Sequence, residues 1–241
     1  RAPQVAQTGA RILRQMARLA IYPNDVPDDV GLAAALQQAW KPDMPVAAAL
    51  FSAALILCAD HELNVSSFTA RCIASAGSPP YAAVSGGLAA LQGAKHGGNC
   101  ARVEALFRET GTPAQARIMI AQRLRRGETV PGFGHPLYPA GDPRGRLLLE
   151  LVTAACPNAP GVQISAVLAA SATAALSEQP NVDFGLATLC AALSLPPGTA
   201  LALFALGRAI GWIAHAIEEY QTDRMIRPRA HYTGPMPTNA E

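Results

Sequence analysis

Residues 201–217 read Leu201-Ala202-Leu203-Phe204-Ala205-Leu206-Gly207-Arg208-Ala209-Ile210-Gly211-Trp212-Ile213-Ala214-His215-Ala216-Ile217. The run is nearly as apolar as a membrane span, but Arg208 and His215 interrupt it. A guanidinium at the centre of a bilayer is costly, so the run reads as a helix buried inside a protein. A buried Arg needs an anion. The alternative, an Arg208 facing solvent on the back of the helix, stays open at this level. Leu201, Phe204, Gly211 and His215 lie on or near the same face as Arg208.

The rest of the chain follows the same pattern. Ala and Leu dominate, aromatic residues make up 5%, and strand-like alternation is rare. Pro and Gly cluster between apolar stretches and mark their ends. Helices are expected at about 4–21, 30–40, 45–62, 65–77, 80–93, 97–110, 113–126, 143–156, 161–177, 183–194 and 198–221, so the fold class is all-α. Asp142-Pro143 has the form of an N-cap followed by Pro at the first helical position. Pro196-Pro197-Gly198 separates the last two helices. From Pro228 onward, with Pro235 and Pro237, the tail is expected to be extended.

The 241 residues suit one large domain or two modest ones, and half of them are hydrophobic. Charged residues are 15% with a net charge of +2, too little to require a nucleic acid or an anionic membrane as partner. Arg123-Leu124-Arg125-Arg126 and Arg224-Met225-Ile226-Arg227-Pro228-Arg229 are local basic clusters, read either as solvated surface or as sites for an anionic ligand. The five cysteines, Cys58, Cys72, Cys100, Cys156 and Cys190, are odd in number and form no CxxC pair. Buried reduced thiols fit better than a disulfide scaffold or a zinc site. No secretory signal is visible. The chain begins at Arg1 rather than Met and is expected to be part of something longer.

Three segments carry candidate proton chemistry: Gly93-Ala94-Lys95-His96-Gly97-Gly98, Val130-Pro131-Gly132-Phe133-Gly134-His135 and Pro180-Asn181-Val182-Asp183. Two imidazoles and a carboxylate can move protons in both directions near neutral pH, as is needed to form an enol beside a carbonyl. A neutral His96 can donate a hydrogen bond to a carbonyl oxygen, and Lys95 beside it is expected to depress its pKa further. The Pro-Gly-Phe-Gly loop before His135 exposes backbone groups suited to a nucleotide or acyl-thioester ligand. Arg144, nine residues on, is placed for a bidentate carboxylate contact. Each residue also has a structural reading: His96 in a surface turn, His135 closing a plain turn, Asp183 as a helix N-cap, His61 against a helix C-terminus.

Taken in order, these segments resemble the citrate synthase family. Ala59-Asp60-His61-Glu62-Leu63-Asn64-Val65-Ser66 resembles its substrate-binding His segment. Lys95-His96-Gly97-Gly98 is similar to its first catalytic His segment, and Val130–His135 with Gly141-Asp142-Pro143-Arg144 to its second. Pro180-Asn181-Val182-Asp183-Phe184 is similar to the catalytic Asp segment. Phe204–Arg208, Gly211–His215 and Arg227-Pro228-Arg229-Ala230-His231-Tyr232 are similar to the C-terminal segments.

The resemblance implies a two-domain helical fold working as a homodimer in the cytoplasm, with a large domain of residues 1–97 and 195–241 and a small one of 98–194. It implies a transferase that condenses acetyl-CoA with oxaloacetate to give citrate and CoA, a step of the tricarboxylic acid cycle. Asp183 would be the base, His96 the donor at the thioester oxygen and His135 the acid at the ketone. His61, Arg144 and Arg208 would hold oxaloacetate, with Arg227 delivered from the partner subunit. Val130, Pro131, Gly132, Phe133 and Gly134 would contact CoA. CoA thioester is expected as substrate, with no tightly bound cofactor, no metal, and no membrane or nucleic acid partner for these residues.

The chain departs from the family by lacking most of its usual N-terminal part. Pro136 and Pro139 also stand where basic residues often help hold CoA, leaving Arg126 or Arg146 as replacements. The alternatives are a 2-methylcitrate synthase, a citryl-CoA lyase-like enzyme, or a non-catalytic oxaloacetate-binding regulatory protein. The first of these differs by one methylene, worth about 1–3 kcal/mol in an apolar pocket.

Overall fold

A computed structural model describes residues 2–25 and 29–235. The described residues form eleven helices: α1 (Ala2–Ile21), α2 (Leu32–Trp40), α3 (Ala47–Ala59), α4 (Val65–Ser75), α5 (Pro80–Leu91), α6 (Asn99–Thr110), α7 (Pro113–Arg125), α8 (Pro143–Ala155), α9 (Pro160–Leu176), α10 (Val182–Ala192) and α11 (Thr199–Thr222). Each expected helix is present, with ends displaced by up to three residues. Among the described residues the only β-type pairings are isolated bridges, including one between Phe133 and Pro180. The tail after α11 is irregular through 235, and Pro237 lies outside the described residues.

Residues 201–217 fall inside α11, which packs against α1, α3, α4, α5, α6 and α10. Among the described residues, α11 alone is long and apolar enough to cross a membrane, but 67% of its most apolar stretch is buried within the fold. Trp212 and Arg208 are its largest fully buried side chains. The close approach to α3 depends on two glycines one turn apart. A Cβ on Gly207 would lie 2.6 Å from the Leu55 carbonyl oxygen, and one on Gly211 would collide with the Ala59 carbonyl.

Two hydrophobic cores form. The larger unites α1 to α5 with α11 and takes in faces of α8 and α10. The smaller is built from α6, α7 and α9 with the loop residues Val130 and Phe133. α10 contributes to both: Leu186, Leu189 and Cys190 face the larger core, Phe184 and Ala187 the smaller. It is buried continuously from Val182 to Cys190, so whatever stands at its N-terminus is fixed from two sides.

The helix starts that frame the site are capped by side chains. Asn64 accepts from the backbone N–H groups of Ser66 and Ser67 at the start of α4, and Asp142 from that of Arg144 at α8. At α10 the cap is Asn181, which accepts from Asp183 and Phe184. The N-cap alternative read for Asp183 is therefore corrected: Asn181 satisfies those donors, and the Asp183 carboxylate is free for other partners. α11 starts at Gly198 without a cap of its own, and buried Glu104 of α6 accepts from the N–H groups of Gly198 and Ala200 at 2.8 and 3.1 Å.

Adding a methyl at the α3–α11 crossing should force the helices apart. Gly207→Ala and Gly211→Ala are each expected to lower unfolding free energy by about 1–3 kcal/mol, the usual cost of overpacking a tight contact. Urea unfolding of the two variants checks this, and a loss under about 0.5 kcal/mol in both would contradict the crossing described.

Candidate active site

Six of the seven expected catalytic and oxaloacetate-binding residues line one cavity of about 710 Å³: His61, His96, His135, Arg144, Asp183 and Arg208. They come from the segment between α3 and α4, the turn before α6, the loop before α8, and the bodies of α8, α10 and α11. Arg227 does not line it. It is exposed on the segment after α11. His215 also stands apart, accepting from Arg71 at Nδ1 and facing Asp60.

Arg208 is fully buried. Its Nε donates to the Cys58 carbonyl at 2.7 Å, while Nη1 and Nη2 have no hydrogen-bond partner. The guanidinium lies 5.4 Å over the Phe204 ring. Burial lowers its pKa to about 10, so it remains charged at neutral pH. A buried cation with two orphan donors at a cavity is a site for a carboxylate.

Arg144 makes the bidentate contact anticipated for it, but with Asp142, through Nε at 3.0 Å and Nη2 at 2.8 Å. Asp142 also accepts from the Val182 N–H at 3.0 Å, which ties the start of α8 to the start of α10. Burial pushes the Asp142 carboxyl up, but the hydrogen bonds and charge of Arg144 outweigh it and hold the group below the usual carboxylate range.

Asp183 lies one residue inside α10. Its carboxylate accepts from Asn99 Nδ2 at 2.9 Å and from the Cys100 thiol at 2.9 Å. Burial raises its pKa against these two donors and the charge of Arg144, giving a carboxylate more basic than usual.

His96 Nε2 is 2.8 Å from Ser66 Oγ, which also accepts from the Trp212 indole N–H at 3.1 Å. The Ser66 hydroxyl donates to Asn64 Oδ1 at 2.7 Å, which also takes the backbone N–H groups of Ser66 and Ser67. The His96 pKa falls to about 4 through burial and then the charges of Arg208 and Arg144. The cations responsible are these two arginines and not Lys95, whose side chain is exposed.

His135 accepts from the Leu137 N–H at Nδ1, so Nε2–H is its donor. Burial, then Arg144, lowers its pKa. His61 Nε2 meets the Tyr138 hydroxyl at 3.0 Å, and its ring stands edge-on to His135 at 5.0 Å. Burial, Arg144 and His135 lower the His61 pKa to about 4. Tyr138 packs on both imidazoles and under the Arg144 guanidinium.

Of the loop residues expected to meet CoA, Phe133 and Gly134 line the cavity, whereas Val130, Pro131 and Gly132 are buried and do not. Much of the loop backbone is already paired with residues 179–181. The Gly132 carbonyl takes the Asn181 N–H, the Gly134 N–H reaches the Gln179 carbonyl, and the Gly134 carbonyl takes the Asn181 amide. Positive φ at Gly132 and Gly134 makes this zipper possible. Among the described residues no group of three His, Cys, Asp or Glu side chains is arranged for a metal.

Sequence reasoning passed over Ser66, Asn99, Cys100, Tyr138 and Trp212. Ser66 stood out only as the end of the segment around His61, and Trp212 only as part of the apolar run 201–217.

The model of the citrate synthase C-terminal domain matches residues 2–229. The chain belongs to the citrate synthase family. Among curated relatives it is 37% identical over 194 residues to citrate synthase 2 of Bacillus subtilis, covering 79% of this chain and 52% of that protein. To the 2-methylcitrate synthase of Mycobacterium tuberculosis it is 35% identical over 196 residues, covering 80% and 50%. The chain thus spans about half the length of the curated relatives it matches.

Among solved structures, citrate synthase of Thermotoga maritima superposes with a TM-score of 0.83 at 28% identity, over 99% of this chain and 70% of that one. Citrate synthase of Thermoplasma acidophilum, in a ternary complex with carboxymethyl coenzyme A and oxaloacetate, gives 0.81 at 27% identity, over 99% and 68%.

The imidazole pKa values set a stability profile for this family member. His61 and His96 are at about 4 folded against an ordinary 6.5, so below pH 6.5 the unfolded chain binds protons that the folded chain does not. Their contribution is present above pH 6.5 and is lost as pH falls toward 4. Asp183, with its raised pKa, acts with the opposite sign. Urea unfolding from pH 7 to 4.5 is expected to show falling stability with proton uptake on unfolding, and a shallower slope in His61→Gln/His96→Gln. An unchanged slope in that variant would contradict the assignment.

Proposed function

We propose that this chain carries the catalytic centre of a citrate synthase-type enzyme, condensing acetyl-CoA with oxaloacetate to give citrate and CoA. The observation that carries this reading is the buried, half-unpartnered Arg208 guanidinium sharing a cavity with a raised-pKa carboxylate and depressed-pKa imidazoles. Environments that push acid and base pKa values apart are what proton transfer at carbon needs at neutral pH.

In this mechanism the Asp183 carboxylate takes a proton from the methyl carbon of the acetyl thioester. His96 donates a hydrogen bond to the thioester oxygen and stabilises the enol, with Ser66 holding the ring and Trp212 holding Ser66. The enol carbon attacks the ketone carbon of oxaloacetate, forming the C–C bond. The ketone oxygen gains its proton from His135 Nε2. Arg208, Arg144 and His61 hold the two carboxylates, and the partner subunit's copy of Arg227 completes their binding. Water then cleaves the citryl thioester, releasing citrate and CoA.

The phosphates of CoA fall to Lys95 and Arg102, both exposed residues on the cavity wall. The two replacements expected from sequence are engaged elsewhere: Arg126 pairs with Glu128, and Arg146 lines a different cavity. Arg102 also donates to Thr129, next to the loop whose Phe133 and Gly134 border the cavity.

Dimerisation is supported by Val46, Ile56, Val65, Phe68 and Tyr81, exposed apolar residues along 45–94. The division into 1–97 with 195–241 and 98–194 is supported by the smaller core, whose buried members all lie between 103 and 187. Residues 1, 26–28 and 236–241 of that division lie outside the described residues. A cytoplasmic setting agrees with five cysteines that are all free. Propionyl-CoA as the acyl donor, giving 2-methylcitrate, has the support of the mycobacterial relative.

Thiol release from acetyl-CoA in the presence of oxaloacetate tests the activity. Asp183→Asn is expected to reduce turnover by at least about a hundredfold while oxaloacetate binding changes little. Turnover surviving that change would remove Asp183 as the base. A folded dimer that binds oxaloacetate but releases no thiol from acetyl- or propionyl-CoA would point to the regulatory reading instead.

A further inference from the structure

We infer that Cys100 is a positioning residue that sets the basicity of Asp183 through its thiol. This rests on the reading of Asp183 as the base and extends it to a group outside the cavity wall. Cys100 is fully buried in the first turn of α6, and its Sγ donates to Asp183 Oδ1 at 2.9 Å. Asn99, its neighbour, donates to Oδ2 at 2.9 Å. The main chain of Asp183 is held separately, by its N–H bond to Asn181 Oδ1 at 3.1 Å. The cap fixes where the residue stands, and α6 fixes how the carboxylate is turned and how readily it takes a proton.

A thiol is a weak donor, and that weakness has a consequence. Burial raises the Asp183 pKa, and hydrogen bonds to the ionised form lower it. Two strong donors would favour the anion and leave a feeble base. A single donor from Asn99 would leave the buried carboxyl protonated over more of the pH range. One amide and one thiol give a basicity between those two limits. The thiol itself does not compete for the proton, because burial and the Asp183 charge hold its pKa well above the ordinary value.

The other groups around Asp183 do not duplicate this role. From α8 and its N-cap, Arg144 lowers the carboxyl pKa and Asp142 raises it, and these two are already paired with each other. His135 and Arg208 border the same cavity without a bond to the carboxylate, and Cys58 and Cys190 are buried thiols whose pKa values are raised. Glu104, lower on α6, is committed to the start of α11. Among the described residues, only α6 supplies direct donors to the Asp183 oxygens, through Asn99 and Cys100.

The test is an infrared titration of the full chain, with the Asp183 carboxylic-acid carbonyl band assigned by its absence in Asp183→Asn. Cys100→Ser, a stronger donor, should move the titration midpoint down by about half a pH unit or more. Cys100→Ala, with no donor, should move it up by a similar amount. The acidic limb of thiol release should follow in the same two directions. A change in packing alone would not shift the midpoint oppositely in the two variants. Midpoints that stay within about 0.2 units of the parent, or move the same way, overturn the inference; Asn99→Ala, expected to raise the midpoint, shows that the band responds to its donors. If the midpoints move as expected but the acidic limb does not, Asp183 is not the base, and the mechanism fails while the tuning contact stands.

Discussion

The structure depends on a charge placed where an apolar helix can least accommodate it. Arg208 stands in the middle of α11, buried on every side, with one of its three nitrogens bonded to a backbone carbonyl. Burying a guanidinium costs several kcal/mol unless hydrogen bonds and an anion offset it. Gly207 and Gly211 let α3 come close enough for the Cys58 carbonyl to take Nε, while the other two nitrogens are left for a ligand. The charge that weakens the core thereby borders the cavity with two unpartnered donors.

The remainder of the site is organised around that cation and its neighbour Arg144. Together with burial they keep His61 and His96 neutral, the form that offers one N–H donor without the charge of an imidazolium. Asp142 absorbs part of the Arg144 charge and joins the α8 and α10 N-termini, so that the carboxylate of Asp183 and the guanidinium of Arg144 keep a fixed relation. α10, packed into both cores, carries that relation between the two halves of the molecule.

The helical fold was legible because its signals are local. Apolar runs bounded by Pro and Gly located every helix, and Asp142-Pro143 marked its cap. The six cavity residues were legible as an ordered set, although each alone had a plain structural reading. What could not be read were contacts made across the fold. Ser66 meets His96 thirty positions away, and Tyr138 meets His61 seventy-seven positions away. Lys95 was weighed because it adjoins His96 in sequence, yet its exposed side chain is in water, where charge is screened, and the arginines that act on the ring are distant in sequence. In Pro180-Asn181-Val182-Asp183 both Asn and Asp are good caps, and only the register of α10 decides that Asn181 takes the role.

We propose that Arg208 is held in the core to bind a carboxylate. Calorimetric titration of oxaloacetate into the parent chain and into Arg208→Met, with thermal unfolding of both, tests it most directly. Methionine fills similar apolar space without the charge, so the variant is expected to unfold at an equal or higher temperature while oxaloacetate affinity falls by about a hundredfold or more. Oxaloacetate bound as tightly by Arg208→Met as by the parent would contradict the account.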